Sequence, residues 1–191
     1  MAPTSATPEA FTRAVAGLRA AAPREEILLE EIAAPQRLAP FGFALSATVL
    51  RDGDEVASGR LILLYDPAGH EAWHGNLRLV TLVTAELESE MAGDPLLPAV
   101  GWTWLTDALE QHDAHYTAIG GTITQTTSTR FGELAGPMPT ADLEIRASWT
   151  PTSEDLGAHL YGWCAMLAST AGLPPPGVTT LTPHRQRAGA S

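Results

Sequence analysis

Residues 41–65 consist of two long apolar-alternating runs, FGFALSATVLR and EVASGRLILLY, joined through Asp52 and Gly53. A D-G pair between such runs suits a tight antiparallel turn, because glycine accepts a positive φ without a steric penalty. A hairpin of this length supplies the nucleus of an antiparallel sheet, and the neighbouring segments read as additions to it. EEILLEEI (25–32) is short and runs into the proline-rich APQRLAP, which favours a strand over a helix. LRLVTLVTAEL (77–87) is a third long strand, with Leu77, Leu79 and Val83 available for burial. GGTITQTTSTR (120–130) carries threonine on both faces, which suits an exposed or groove-lining strand, and ADLEIRASWT (141–150) is a further strand.

Three segments change to helical spacing. Phe11, Val15, Leu18 and Ala22 form one stripe over 8–22, with Thr7 as cap, Pro8 at the first helical position and Pro23 as the stop. Asp94 and Pro95 open a second helix whose apolar side is Val100, Trp104, Leu105, Ala108 and Leu109. Ser153 opens a third, with Leu156, Leu160, Trp163, Cys164 and Leu167 on one side and Gly172 at its end. The fold expected is α+β, a mostly antiparallel sheet of about six strands with about three helices packed on one face. Residues 1–6 read as a flexible tail, 7–173 as a single α+β domain and 174–191 as a Pro-rich, disordered tail.

Charge narrows the possible partners. All 11 basic residues are arginine, and 22 acidic residues bring the formal net charge to −11. Phosphate backbones and anionic membrane surfaces should be repelled, so no direct nucleic-acid or membrane partner is expected. Cys164 is the only cysteine, which leaves no internal disulfide. The opening MAPTSATPEAFTRAV lacks a basic start followed by an apolar run, and no stretch is long and apolar enough to span a bilayer. A cytoplasmic location is the expectation.

One stretch carries a chemical motif. In DPAGHEAWHGNLR, His70, Glu71 and His74 spell H-E-x-x-H. Zinc proteases need that pattern on a helix, where the 3.6-residue period puts both histidines on one face and the glutamate beside metal-bound water. Here Pro67 and Gly69 precede it, Gly75 and Asn76 follow it, and strands flank both sides, leaving room for about two turns at most. Leu77 and Val80 stand where an extended pattern needs glycine and histidine. The reading is therefore a structured loop without a metal, in which His70 and Glu71 hold the loop by hydrogen bonds, Trp73 plugs the core edge and His74 is exposed.

Other chemistry is sparser. No G-x-S-x-G elbow, P-loop or dinucleotide fingerprint is present. Cys164 on its apolar helix face reads as a small core residue. Glu86, Glu88 and Glu90 alternate as on a solvated strand face, and Arg37, Arg78, Arg130 and Arg146 stand in neutral surroundings, where internal ion pairing is favoured over an anionic ligand. Trp102 and Trp104 lie about 200° apart on a helix, so one of them belongs near a surface or an interface.

The stretches EEILLEEIAAPQRLAPFGFAL, DPAGHEAWHGNLRLVTLVTAELESEMAGDPLLPAVGWTWLTDAL and EIRASWTP with HLYGWCAMLASTAGLPPPG resemble an actinobacterial domain-of-unknown-function family, number 3000, over about residues 11–177. Its pattern D-P-A-G-H-E-A-W-x-G is matched by Asp66, His70, Glu71, Trp73 and Gly75, while the place of His74 is not fixed as histidine. The resemblance implies no established activity, cofactor or catalytic residue.

The leading functional expectation is a non-catalytic interaction or regulatory protein with a protein partner and no cofactor. It rests on the acidic charge, the five tryptophans and the incomplete catalytic constellations. The alternative is a hydrolase or small-ligand-binding enzyme with a pocket near His70, Glu71 and the threonine-rich strand Thr122 to Thr129. Asp66, Trp73, Arg78, Trp102 and Arg130 are the candidate binding residues, His70 and Glu71 the candidate catalytic ones, and His70 with His74 the candidate metal pair.

Overall fold

A computed structural model describes residues 7–87, 91, 93–136 and 139–177. The expected hairpin is its centre. β2 (Phe41–Arg51) turns through Asp52 (φ 55°) and Gly53 (φ 91°) into β3 (Asp54–His70), with Arg51 opposite Asp54. Two consecutive positive φ values are the signature of the type I′ turn, whose twist matches that of paired strands. β1 (Ile27–Ile32) pairs outside β2, and β4 (Gly75–Leu87) outside β3. β5 (Tyr116–Ser128) and β6 (Thr140–Pro151) complete a six-stranded sheet of order β1-β2-β3-β4-β6-β5, with every pairing antiparallel.

Period-two alternation divides this sheet into two faces. Val49, Leu63, Leu79, Val83, Leu143, Ile145 and Trp149 all show no solvent exposure and belong to the core under the helices. α3 (Gly157–Thr170) lies over the middle of that face. Its Trp163 and Leu167 close on Gly59, where a Cβ would meet Leu167 at 2.9 Å and Trp163 at 3.0 Å. The one hydroxyl on this face of β4, Thr81, accepts the Trp163 indole N–H at 2.7 Å and donates to the Arg60 carbonyl at 2.9 Å, so its burial leaves nothing unpaired. α1 (Glu9–Ala20) places Phe11 among Phe41 and Tyr65, and α2 (Leu97–Gln111) packs on α3 and β5.

The helix boundaries depart from the sequence reading in instructive ways. α1 begins at Glu9, with Pro8 at the cap position and no side-chain cap, and ends at Ala20, ahead of Pro23. In α2 the side chain of Asp94 accepts the Leu96 N–H at 2.8 Å, which makes a turn first and delays the helix to Leu97. Its buried side is Leu97, Gly101, Leu105, Ala108 and Leu109; Val100, expected inside, is 43% exposed, and Trp104 is half-buried. Gly101 takes the inner place, facing Ile123 and Leu143, which a Cβ there would meet at the ordinary contact distances of 3.8 and 3.9 Å. Before α3, Ser153 Oγ accepts the Asp155 N–H and Asp155 Oδ1 accepts the Gly157 N–H, two successive turns that postpone the helix from Ser153 to Gly157.

Of the expected tails, residues 1–6 and 178–191 lie outside the described residues. Residues 174–177 are described, and the Pro174 carbonyl accepts from Arg24 at 2.9 Å. Among the described residues no helix is long and apolar enough to cross a membrane.

Candidate functional site

The H-E-x-x-H segment occupies the far end of the β3–β4 hairpin. Pairing stops after Tyr65 opposite Leu77 and resumes only at His70 opposite Gly75. Within the gap Asp66 Oδ1 accepts the Ala68 N–H at 2.9 Å, an Asx turn, and Gly69 takes φ 76°. Glu71–Trp73 is a single 3-10 turn, closed by the His74 N–H on the Glu71 carbonyl at 3.1 Å, and His74 itself is left-handed at φ 56°. The α-helix that would present both histidines on one face is not formed, because two strands must meet here within four residues.

His70, Glu71 and His74 are all exposed. The His70 ring stacks on Trp73 at 4.8 Å between centroids, and Trp73 is half-buried. Neither His70 nor Glu71 makes a side-chain hydrogen bond among the described residues; Asp66 and the main chain hold the loop instead. No group of three or more His, Cys, Asp or Glu side chains among the described residues is placed to share a metal ion. Nor do His70 and Glu71 line the hollows on the open sheet face, beside α1 or at the β2–β3 turn.

A hydrogen-bonded chain leads from this loop onto the face of the sheet that the helices leave bare. Thr150 donates its hydroxyl to the Trp73 carbonyl and accepts from Arg78 at 3.0 Å. Arg78 also donates to Ser148 at 2.7 Å and to the Ala118 carbonyl at 2.8 Å, so one guanidinium ties β4 to β6 and to β5. Ala118 can offer that carbonyl because β5 bulges between Thr117 and Gly120, where Ala118 is left-handed at φ 50°. All the partners of Arg78 are neutral oxygens. Among the described residues it has no carboxylate, and burial lowers its pKa from the usual arginine value.

Register places Arg78, Val80 and Leu82 of β4 on this bare face beside Ile62 and Arg60 of β3 and Ser148 and Arg146 of β6. Ile62, Val80 and Leu82 are half-buried, and with Gly120, Thr122, Arg146 and Ser148 they line a shallow hollow of about 450 Å³. The Arg60 side chain has no partner among the described residues, whereas Arg146 is paired with Glu144 at 2.7 Å. The face is thus an apolar centre bordered by three arginines and several hydroxyls. One corner is covered by the β1–β2 connection, where Ala34 reaches within 3.3 Å of the place a Gly42 Cβ would take.

The remaining candidates are scattered. Trp102 is half-buried against Gly121 on the helix side, so it does not reach the bare face. Arg130 is exposed after β5, and Arg37 is exposed with φ 71°. Glu86 is exposed at the end of β4; Glu88 and Glu90 lie outside the described residues. The threonine-rich stretch is the edge strand β5, and its register with Arg146 to Thr140 carries Thr122–Ser128 away from the His70 end. Cys164 is buried, and loss of water pushes its thiol up to about 12.

Sequence reasoning passed over one polar pair. His159 is 2% exposed and accepts the Trp149 indole N–H at 3.1 Å. The signal was present: His159 stands four residues before Trp163, on the buried stripe of the last helix.

Compared with known proteins, the chain matches one family model over residues 7–179, that of a protein of unknown function (DUF3000). No curated protein and no solved structure matches it.

Proposed function

Because the chain belongs to the DUF3000 family, by a match that spans most of its length, no inherited activity constrains the reading, and we propose that it is a non-catalytic protein-binding module of the cytoplasm. The bare face of its sheet is the docking surface. One observation carries this: an apolar centre of Ile62, Val80 and Leu82 lies uncovered beside Arg60 and Arg78, neither of which has a carboxylate partner among the described residues. In a chain with a net charge of −11, uncompensated arginines around apolar side chains favour a partner segment that brings its own carboxylates next to apolar residues. Apolar contact would supply affinity, and the arginines orientation.

Affinity capture from the native cell tests this with three forms of the protein. A stoichiometric partner held by the wild type, lost with Ile62→Asp and retained with His70→Ala is the expected result, with cross-links mapping to β3, β4 and β6. Retention of the partner by Ile62→Asp, or a turnover abolished by His70→Ala, would overturn it.

A further inference from the structure

We infer that the docking face selects partner segments in which an aromatic side chain stands next to an aspartate or glutamate, the ring lying over Gly120 and the carboxylate on Arg78. The inference rests on the reading of this face as a docking surface and names what that surface recognises. Two neighbouring glycines give the first observation. Gly121 is required by packing, since a Cβ there would lie 2.2 Å from the Arg146 carbonyl and 2.9 Å from Trp102. Gly120 is required by nothing in the folded chain. Among the described residues its Cβ would meet nothing within 4 Å beyond its chain neighbours, and the left-handed residue of the β5 bulge is Ala118 rather than Gly120. Glycine inside a strand weakens it, and its use there marks a place where another group approaches the backbone closely.

Gly120 lies at the low end of a row across the bare face. Side chains shrink along this row from Ile62 through Val80 and Ser148 to glycine. The row forms the floor of the hollow of about 450 Å³. A ring laid over a strand glycine shields its backbone and fills the space that the missing side chain leaves.

Two arginines beside the hollow offer different surfaces. Arg146 has its donor edge occupied, with Nε and Nη2 donating to Glu144 at 2.7 and 3.4 Å. What it can still present is its flat face, on which an aromatic ring stacks. Arg78 is the converse. Its Nη1 donates to the Ala118 carbonyl and to Thr150, and its Nη2 donates once to Ser148. The Nε–H and one Nη2–H remain without an acceptor among the described residues. The three bonds hold the guanidinium in place in advance, so its two spare donors are preorganised for a carboxylate.

Ser148 joins the two sites, because it accepts from Arg78 and stands opposite Gly120. Ring and carboxylate therefore sit roughly one strand spacing apart, about 5 Å, which side chains at i and i+2 of an extended segment can span. The hollow is too shallow to enclose a chain end, so the carboxylate is that of a side chain.

Selection of peptides from a random displayed library against the full chain tests this. Enriched peptides should carry Phe, Tyr or Trp within two positions of Asp or Glu. A synthetic copy of an enriched peptide, followed by fluorescence anisotropy, should lose binding to Ile62→Asp and bind about tenfold more weakly to Gly120→Val, which fills the hollow. Gly120→Val should melt no lower than the wild type, since valine suits a strand. Exchanging the peptide's aromatic residue for Leu, or its acidic residue for the amide, should each weaken binding to the wild type about fivefold or more, and this arm depends on no variant folding. Peptides that require Ile62 but ignore Gly120→Val or either exchange would overturn the inference and leave the docking face standing. Binding that survives Ile62→Asp would remove both readings, and a library that yields no peptide would overturn this one.

Discussion

Trp149 donates its indole N–H to Nδ1 of His159 at 3.1 Å inside the core, with Trp149 wholly buried and His159 2% exposed. The bond requires an unprotonated Nδ1. Burial, above the smaller effects of the His115 backbone, the His115 charge and Asp155, lowers the His159 pKa from 6.5 to about 4. The unfolded chain therefore binds a proton between these values that the folded chain refuses. Its contribution to stability is complete above about pH 6.5 and is lost as pH falls towards 4, on the order of 3 kcal/mol in all. Urea denaturation of the wild type and of His159→Gln across this range should show the wild-type stability falling more steeply with acid. Parallel pH profiles would show that His159 titrates as readily folded as unfolded.

The approach of α3 to the sheet gives a steric prediction. A methyl at position 59 would meet Leu167 and Trp163 at 3.0 Å or less and Val83 at 3.3 Å, and Trp163 is further held by Thr81. Gly59→Ala should cost about 1–3 kcal/mol by overpacking, despite the gain in strand propensity. Gly53, whose Cβ would meet nothing within 4 Å, sits at φ 91°, so Gly53→Ala should destabilise through backbone strain instead. Thermal denaturation measures both; only Gly59→Ala should be relieved by a second substitution, Leu167→Val.

Arg78 holds three strands through neutral oxygens, so a flexible point charge cannot replace its fork. Arg78→Lys is expected to destabilise by about 1–2 kcal/mol, since at most part of the set Ser148, Thr150 and Ala118 can be reached. Amide exchange should quicken first around the β5 bulge and at Trp73, whose carbonyl depends on Thr150. Uniform exchange rates with an unchanged melting temperature would show that the three bonds contribute nothing.

How far the fold could be read from sequence depended on which interactions decide each element. The Asp52–Gly53 hairpin, the strands and the buried side of α3 follow from local spacing, and α3 buries Leu160, Trp163, Cys164 and Leu167, with Leu156 buried at its cap, as their period requires. Helix starts were less readable. Asp94, Ser153 and Asp155 bond main-chain N–H groups within turns that precede the helices, and a capping residue in a preceding turn has the same spelling as a cap. The buried side of α2 includes Gly101, which gives no hydrophobic signal, so apolar spacing alone points to Val100 instead. At the candidate site, the loop around His70 was readable from Pro67, Gly69 and Gly75. The bare face was not, because Ile62, Val80, Leu82 and Arg78 come together only through strand order.

Cys164 gives a prediction about chemistry. It is 5% exposed on α3, and burial raises its thiol from 9.0 to about 12, so at neutral pH the reactive thiolate is both scarce and inaccessible. Alkylation of the native protein should then proceed only through opening of the fold, with a rate that rises with urea in step with the unfolding equilibrium. The raised value also means that stability is complete below about pH 9 and declines as pH rises towards 12. Cys164→Ala should remove that alkaline decline, with a cost near neutrality of about 1 kcal/mol for the small cavity. Rapid, stoichiometric labelling of the folded wild type, at a rate indifferent to urea below the transition, would show instead that the thiol is open to solvent.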